Sequence, residues 1–328
     1  LSSKPLIAVI IPCYRVRQHI HSVLSEIGAA VDKIYLVDDC CPENTGEFVE
    51  KNSQDCRVQV LYHAQNQGVG GAVITGYQQA LLDGATILIK LDGDGQMNPR
   101  FIPQLIAPLL AGEADYTKGN RFYHPEHLQG MPMIRVLGNA GLSFLTKLSS
   151  GYWELFDPTN GYTAIHHTVL ELIPLRKLSK RFFFESDLLF RLNTVQAVVM
   201  DIPMASQYGE EESNLKIMKI FLPFLWGNCH NFIKRIFYNY YLRSFSIASL
   251  ELLLGLPLLG FGFIFGAVAW LKSFTTGETA TAGTVMLAAL PIILGFQLVL
   301  SFINYDISIT PRIPLQRKWG RAGFRKRT

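Results

Sequence analysis

Asp92-Gly93-Asp94-Gly95-Gln96 directly follows the apolar run Thr86–Leu91. It sets two carboxylates and an amide on a short turn at the C-terminal end of a predicted strand. Oxygens one residue apart, released from strand alternation by glycines, can reach one divalent cation. Hard cations such as Mg²⁺ take carboxylate oxygens and share the rest of their shell with substrate phosphates. The pattern suits an enzyme that handles a nucleoside diphosphate, although Asp-Gly-Asp-Gly is also an ordinary turn sequence.

Such a turn needs other polar groups to converge on it, and the flanking elements predict that they do. Leu6–Ile11, Lys33–Val37, Val58–Tyr62 and Ala85–Leu91 are apolar runs of strand length. Arg17–Ala30 and Gly70–Leu82 carry helical patterns between them. Apolar strands alternating with helices predict a mostly parallel sheet covered on both faces, an α/β fold. Ligands bind such sheets at the carboxyl ends of the strands. Pro12-Cys13-Tyr14, Asp38-Asp39 and Asp92–Gln96 all fall there. Asn66–Ala72 is no dinucleotide fingerprint: it follows the third strand, and Val73 stands where the last glycine of G-x-G-x-x-G would be. It reads as a tight loop entering a helix that packs closely on the sheet.

Composition divides the chain. Residues 1–212 read as one soluble domain, 213–243 as amphipathic juxtamembrane helices, 244–304 as two membrane spans and 305–328 as a basic tail. The spans are predicted over Ser244–Leu271, with the single charge Glu251, and Thr284–Asn304, with none. Each is long enough for a hydrocarbon core of roughly 30 Å. Pro257 and Pro291 are tolerable there, because neighbouring helices re-satisfy freed backbone groups. Aromatic and basic residues interleave over Ile217–Tyr241, which fits helices lying in the membrane interface. Lys and Arg precede the first span and follow the second, whereas the loop between them holds only Lys272 and Glu278. That bias predicts an integral membrane protein with its N-terminal domain and tail in the cytoplasm. Cys13, Cys40, Cys41, Cys56 and Cys229 show no metal-ligand spacing and suit reduced thiols in that compartment. Leu6–Ile11 is too short for a secretory leader and stops at Pro12. No nucleic-acid partner is expected. A charge within a span, Glu251, raises the option of a homo-oligomer.

The ordered set Ile-Ile-Pro-Cys-Tyr, Val-Asp-Asp, Asn-Gln-Gly-Val-Gly-Gly-Ala, Leu-Asp-Gly-Asp-Gly-Gln and Gly-Asn-Arg resembles the inverting GT-A glycosyltransferases. More closely, it is similar to the polyprenyl-phosphate glycosyltransferases, which include dolichol-phosphate mannose synthases and bactoprenol glucosyltransferases. The resemblance covers about residues 5–215, and the two spans look like the bactoprenol branch.

It implies a Rossmann-like GT-A domain, a nucleotide-sugar donor, a polyprenyl phosphate acceptor and Mg²⁺ or Mn²⁺. Pro12, Tyr14, Asp38, Asp92, Gly93 and Asp94 would bind the nucleotide-sugar, and Asp92, Asp94 and Gln96 match the metal motif. Gln96 can equally cap the turn before Asn98-Pro99. Arg121, Arg135 and Asn139 fall on the segments that hold the acceptor phosphate, a task suited to the planar guanidinium fork. Asp157, in Asp157–Tyr162, falls near the reacting centre. A lipid monophosphate, with a second pKa of about 6, is largely dianionic at neutral pH and needs no base. Asp157 is therefore expected to orient substrate, and is the candidate if a base exists. Glu185 continues the pattern. The late loop over 208–213 is acidic where relatives carry basic help, leaving Lys216 as the next cation. Glucose from a uridine donor is the first expectation and mannose from a guanosine donor the second. A hydroxyl-directed transferase, a polysaccharide synthase and a non-catalytic scaffold are the rival classes.

Overall fold

The computed structural model describes residues 4–121, 123, 133–204 and 217–320. Chain contacts divide it into two units, residues 1–233 with 311–328, and residues 234–310.

The first unit is built on β1 (Ile7–Cys13), β2 (Lys33–Asp38), β3 (Val58–Tyr62), β4 (Ile87–Lys90), β5 (Tyr116–Asn120), β6 (Thr163–His166) and β7 (Val199–Pro203). They form one seven-stranded sheet in the order β3-β2-β1-β4-β6-β5-β7. Only β6 runs against its neighbours, antiparallel to both β4 and β5. The mostly parallel sheet read from the sequence is thus present. Chain order reverses beside β1: the path runs out to β2 and β3, then returns to pair β4 on the other side. That reversal opens a crevice at the carboxyl ends of β1 and β4.

Helices cover both faces of the sheet. In order they are α1 (Arg17–Glu26), α2 (Thr45–Asn52), α3 (Val69–Leu82), α4 (Ile102–Leu110), α5 (Met133–Ser150), the single turn α6 (His167–Leu170) and α7 (Phe184–Thr194). Strand alternation sorts the core. Ala8, Ile10, Tyr35, Val37 and Leu88 pack with residues of α3 and α7. Ile7, Val9, Ile11, Ile34, Leu36 and Ile89 pack on the opposite face with residues of α1 and α4. Gly76 of α3 lies against Ile10, where any Cβ would collide, so α3 sits close on β1.

The long helix α8 (Ile217–Ile236) leads into a π-helical turn at Phe237–Arg243, where one continuous segment replaces the several interface helices read from the sequence. Leu222, Trp226 and Ile233 on α8 are exposed. The second unit contains α9 (Ile247–Thr276) and α10 (Ala282–Ser308), each long and apolar enough to cross a membrane. They pack as an antiparallel hairpin. A Cβ on Gly255 would meet Leu298 and Val299 at 3.1 Å, and one on Gly262 would meet the Ala288 carbonyl at 2.9 Å. Small residues permit this close backbone approach, which is how helices associate where lipid removes the hydrophobic drive. Glu251 finds a partner in the same hairpin: the Ser301 hydroxyl donates to its carboxylate at 2.7 Å.

The tail departs from the expected division at 304/305. Helix α11 (Leu315–Gly320) belongs to the first unit. The Asp115 carboxylate, fully buried, accepts from the backbone amides of Leu315 at 2.8 Å, Gln316 at 3.2 Å and Val198 at 2.9 Å. Leu315 enters the core beside α6 and α7. Sequence pattern saw only the tail's positive charge, because one anchoring leucine and a distant aspartate carry no periodicity.

His166, at the end of β6, makes the stability of this unit sensitive to acid. Its ring Nδ1 accepts from the Thr168 amide and pairs with the Thr168 hydroxyl, capping α6. Burial, aided by the adjacent His167, pushes its pKa down to about 4 from 6.5. Between those values the unfolded chain binds a proton that the folded one does not, so stability falls as pH drops from 6.5 to 4. The loss approaches about 3 kcal/mol at the acid end. Thermal melts across that window should show a shallower decline for His166→Gln than for the native chain; parallel curves would refute the assignment.

Candidate functional site

A cleft of about 590 Å³ opens where β1 and β4 end. Pro12, Cys13 and Tyr14 form its β1 side, and Lys90, Asp92, Gly93 and Asp94 its β4 side. Arg15 takes a left-handed backbone turn (φ 59°), and its guanidinium lies 5.5 Å from the Tyr14 ring centre. Tyr14 remains 45% exposed at the cleft, a flat apolar face for a ring to stack on. Gly93 is enclosed by Ile11, Val16 and Ile20, at 3.2 to 3.4 Å from where its Cβ would stand, so a side chain there would push the turn out of place.

The adjacent aspartates after β2 part company. Asp38 accepts from the amides of Cys41 and Gly46, each at 2.7 Å, and holds the turn into α2. It does not line the cleft; Asp39 does. Asp39 accepts from the amides of Gln67 and Gly68, each at 2.8 Å, and from His63 at 2.7 Å. Strand alternation sends neighbours to opposite sides, so a one-residue choice decides which carboxylate meets a ligand. Of the two, Asp39 and not Asp38 stands at the cleft.

Lys90 went unnoticed in the sequence and is central in space. It is fully buried at the end of β4. Its ammonium donates to Asp92 Oδ1 at 2.8 Å and to the Gly161 carbonyl at 3.3 Å, and stands 3.2 Å from Glu185 Oε1. Burial favours the neutral amine, but Asp92 and Glu185 outweigh it and raise the Lys90 pKa. Lys118, the corresponding buried cation on β5, donates to the Asn160 carbonyl. There burial wins over the carboxylates of Asp157, Glu185 and Asp201, and its pKa falls to about 8. A lone lysine ending a buried apolar strand was the signal available for Lys90; Lys118 stands in the polar stretch Tyr-Thr-Lys-Gly-Asn and carried none.

Glu185, in the first turn of α7, lines the cleft. Asp94 Oδ1 accepts from the Gln96 amide at 3.0 Å. Gln96 itself is exposed and is not among the cleft-lining residues. Asn98 supplies the cap before Pro99, its side chain accepting from the Arg100 amide at 2.9 Å.

Asp157 and Arg121 come together. Arg121 Nε donates to Asp157 Oδ2 at 2.8 Å, and its Nη2 to Oδ1 at 3.2 Å. The Asp157 side chain is fully buried, whereas that of Arg121 is 36% exposed. Asn160 ties this loop to β5 by donating its side-chain amide to the Gly119 carbonyl at 2.7 Å. A guanidinium engaged side-on by a buried carboxylate is fixed in direction. Arg135 and Asn139 lie on α5, but their side chains, and the whole of Lys216, fall outside the described residues. Arg181, which sequence reading passed over, also lines the cleft, and no ion pair engages it among the described residues.

Four carboxylates (Asp39, Asp92, Asp94 and Glu185) and two cations (Lys90 and Arg181) line this cleft. An anionic ligand therefore meets a net negative wall. No cluster of three His, Cys, Asp or Glu able to hold a metal occurs among the described residues. Asp92 and Asp94 fit a hard cation that completes its shell from the ligand itself.

Residues 8–173 match the profile of Glycosyl transferase family 2. The chain belongs to that family. As a family 2 glycosyltransferase it is 31% identical over 219 residues to the UDP-N-acetylglucosamine–dolichyl-phosphate N-acetylglucosaminyltransferase of Methanococcus voltae, covering 62% of this chain and 87% of that one. It is 28% identical over 202 residues to the undecaprenyl-phosphate mannosyltransferase of Micrococcus luteus, covering 60% and 82%. Among solved structures, the glucosyl-3-phosphoglycerate synthase of Mycobacterium tuberculosis, in complex with Mn²⁺, UDP and glucosyl-3-phosphoglycerate, superposes with a TM-score of 0.53 at 17% identity. That match covers 70% of this chain and 80% of the synthase, and shows that the family 2 domain has the GT-A fold.

Proposed function

We propose that this glycosyltransferase moves a hexose from a nucleoside diphosphate sugar to a polyprenyl phosphate, with inversion at the anomeric carbon. The observation that carries the reading is the carboxylate-lined cleft at the β1/β4 switch point, in a chain that also forms a hairpin of two membrane-length helices. The named relatives use dolichyl or undecaprenyl phosphate as acceptor.

The nucleoside of the donor stacks on Tyr14 beside Pro12, with Asp39 accepting from the base. The diphosphate lies over the Asp92–Asp94 turn, and Arg181 adds positive charge to its other side. A divalent cation bound by Asp92 and Asp94 would neutralise the departing diphosphate. Asp157 aims Arg121 at the acceptor phosphate, and Arg135 on α5 is proposed as its second cation. A phosphate oxygen then attacks the anomeric carbon from the face opposite the leaving group, with no proton to remove. Asp157 therefore serves as an orienting anion. Exposed Leu222, Trp226 and Ile233 hold α8 in the membrane interface, and the cleft faces the cytoplasmic leaflet. Acceptor and product stay in the bilayer, so lateral encounter replaces a search through bulk solvent.

Glucose from UDP-glucose is the proposed donor, on the likeness to bactoprenol glucosyltransferases. The 31% identity to an N-acetylglucosaminyltransferase supports UDP-N-acetylglucosamine as a second reading. The test is transfer of radiolabelled sugar to undecaprenyl phosphate by the detergent-purified protein, with UDP-glucose, UDP-N-acetylglucosamine and GDP-mannose compared. Metal-dependent label in the butanol phase from one donor is expected. A protein that binds nucleotide yet labels no lipid from any donor would overturn the acceptor assignment.

A further inference from the structure

Lys90 occupies a place that the donor chemistry does not explain. Its three ammonium protons meet three acceptors: Asp92 Oδ1 at 2.8 Å, Glu185 Oε1 at 3.2 Å and the Gly161 carbonyl at 3.3 Å. These come from the turn after β4, the first turn of α7 and the loop before β6. The Lys90 side chain is 2% exposed, against 29% for Asp92 and 14% for Glu185. Any Cβ at position 161 would strike Lys90 Nζ and stand 3.0 Å from Asp92 Oδ2, so the backbone there is shaped around the ammonium.

Two carboxylates gathered about one point in a part-buried site call for a cation between them. A divalent ion could fill that place. The fold fills it with a lysine on a rigid, fully buried strand. Consequently Asp92 and Glu185 each keep one oxygen on Lys90, and a metal would have to displace the ammonium to draw both carboxylates fully into its shell.

We propose that Lys90 is a built-in counter-ion that prevents Asp92 and Glu185 from forming a resident metal site, so that the divalent ion binds tightly only together with the donor diphosphate. Lys90 is on this view a positioning residue acting through Asp92. The inference rests on the donor reading above for the identity of the diphosphate. It rests on geometry alone for the exclusion of metal from the empty cleft. The arrangement has a functional logic: an ion that arrives with the substrate leaves with the nucleoside diphosphate product, so turnover does not require extraction of a deeply held metal.

The test is Mn²⁺ binding to the full-length detergent-purified chain, followed by loss of the free-ion electron paramagnetic resonance signal, without and with UDP. The native chain is expected to bind Mn²⁺ at least about tenfold more tightly when UDP is present. Lys90→Met is expected to tighten Mn²⁺ binding without UDP by about tenfold or more, shrinking the effect of nucleotide. A folded Lys90→Met protein with unchanged nucleotide-free affinity would overturn the proposal. If that variant does not fold, two further results still decide. Tight Mn²⁺ binding by the native chain without UDP would also overturn it. Glu185→Gln, which leaves Lys90 to Asp92 alone, should keep nucleotide-free binding weak and lower the affinity measured with UDP; tighter nucleotide-free binding in this variant would count against a withheld Glu185. Failure of the donor reading looks different: UDP would then not alter Mn²⁺ binding in any variant, while native and Lys90→Met proteins would still differ without it.

Discussion

Asp94→Asn is expected to lower kcat/KM for sugar transfer by about 10²- to 10³-fold, the scale on which loss of one group facing developing charge is felt. Its melting temperature should stay near that of the native chain, because Asp94 lies on a surface turn. Asp92→Asn makes the informative contrast. It should cost comparable activity and also stability, by about 1–3 kcal/mol, because the buried Lys90 ammonium loses its 2.8 Å partner. Glu185 remains beside Lys90, which keeps the loss below that of a fully orphaned charge. Transfer rates and thermal melts of the two variants check this together. Equal stability for both would show that the Lys90–Asp92 contact is not structural.

The second large effect is expected at Arg121. Arg121→Ala should reduce kcat/KM by about 10³-fold, and Arg121→Lys should recover little, because a lysine cannot reproduce a planar fork engaged on Asp157 from one edge. Asp157→Asn is expected to lose about 10²-fold through the misdirected guanidinium. If Asp157 acts only by aiming Arg121, the double variant Arg121→Ala/Asp157→Asn is no worse than Arg121→Ala alone, the non-additivity of residues that work as one unit. A general base behaves otherwise. The native pH–rate profile would then carry an acid limb that Asp157→Asn abolishes, and the two losses would multiply.

The legible part of this protein was what depends on runs of residues. The apolar strands β1, β2 and β4 are buried on both faces and stand out for that reason. Their carboxyl ends located the cleft, and the two long apolar helices were visible from composition alone. What hid from the sequence depends on single residues or on pairing. β6 is four residues long, and nothing in Thr-Ala-Ile-His declares that it runs against its neighbours. Asp38 and Asp39 differ only in which side of a strand end they leave, a matter of register. Lys90 was one charge inside an apolar run, visible but unread. Arg181 acquires meaning only once the segment before α7 is folded against the end of β4. Asp115 needed a partner 200 residues away.

That last contact has a consequence for the whole chain. The polypeptide leaves the transferase domain for α9 and α10 and then returns, with Leu315 and Gln316 fastened to Asp115 in the same domain. In covalent terms the hairpin is an insertion, sewn at both ends into one folded body. The chain passes into the hairpin from one folded domain and returns from it to that same domain, so neither end of the hairpin is a free terminus. The closing stitch of that insertion is a buried carboxylate and two backbone amides.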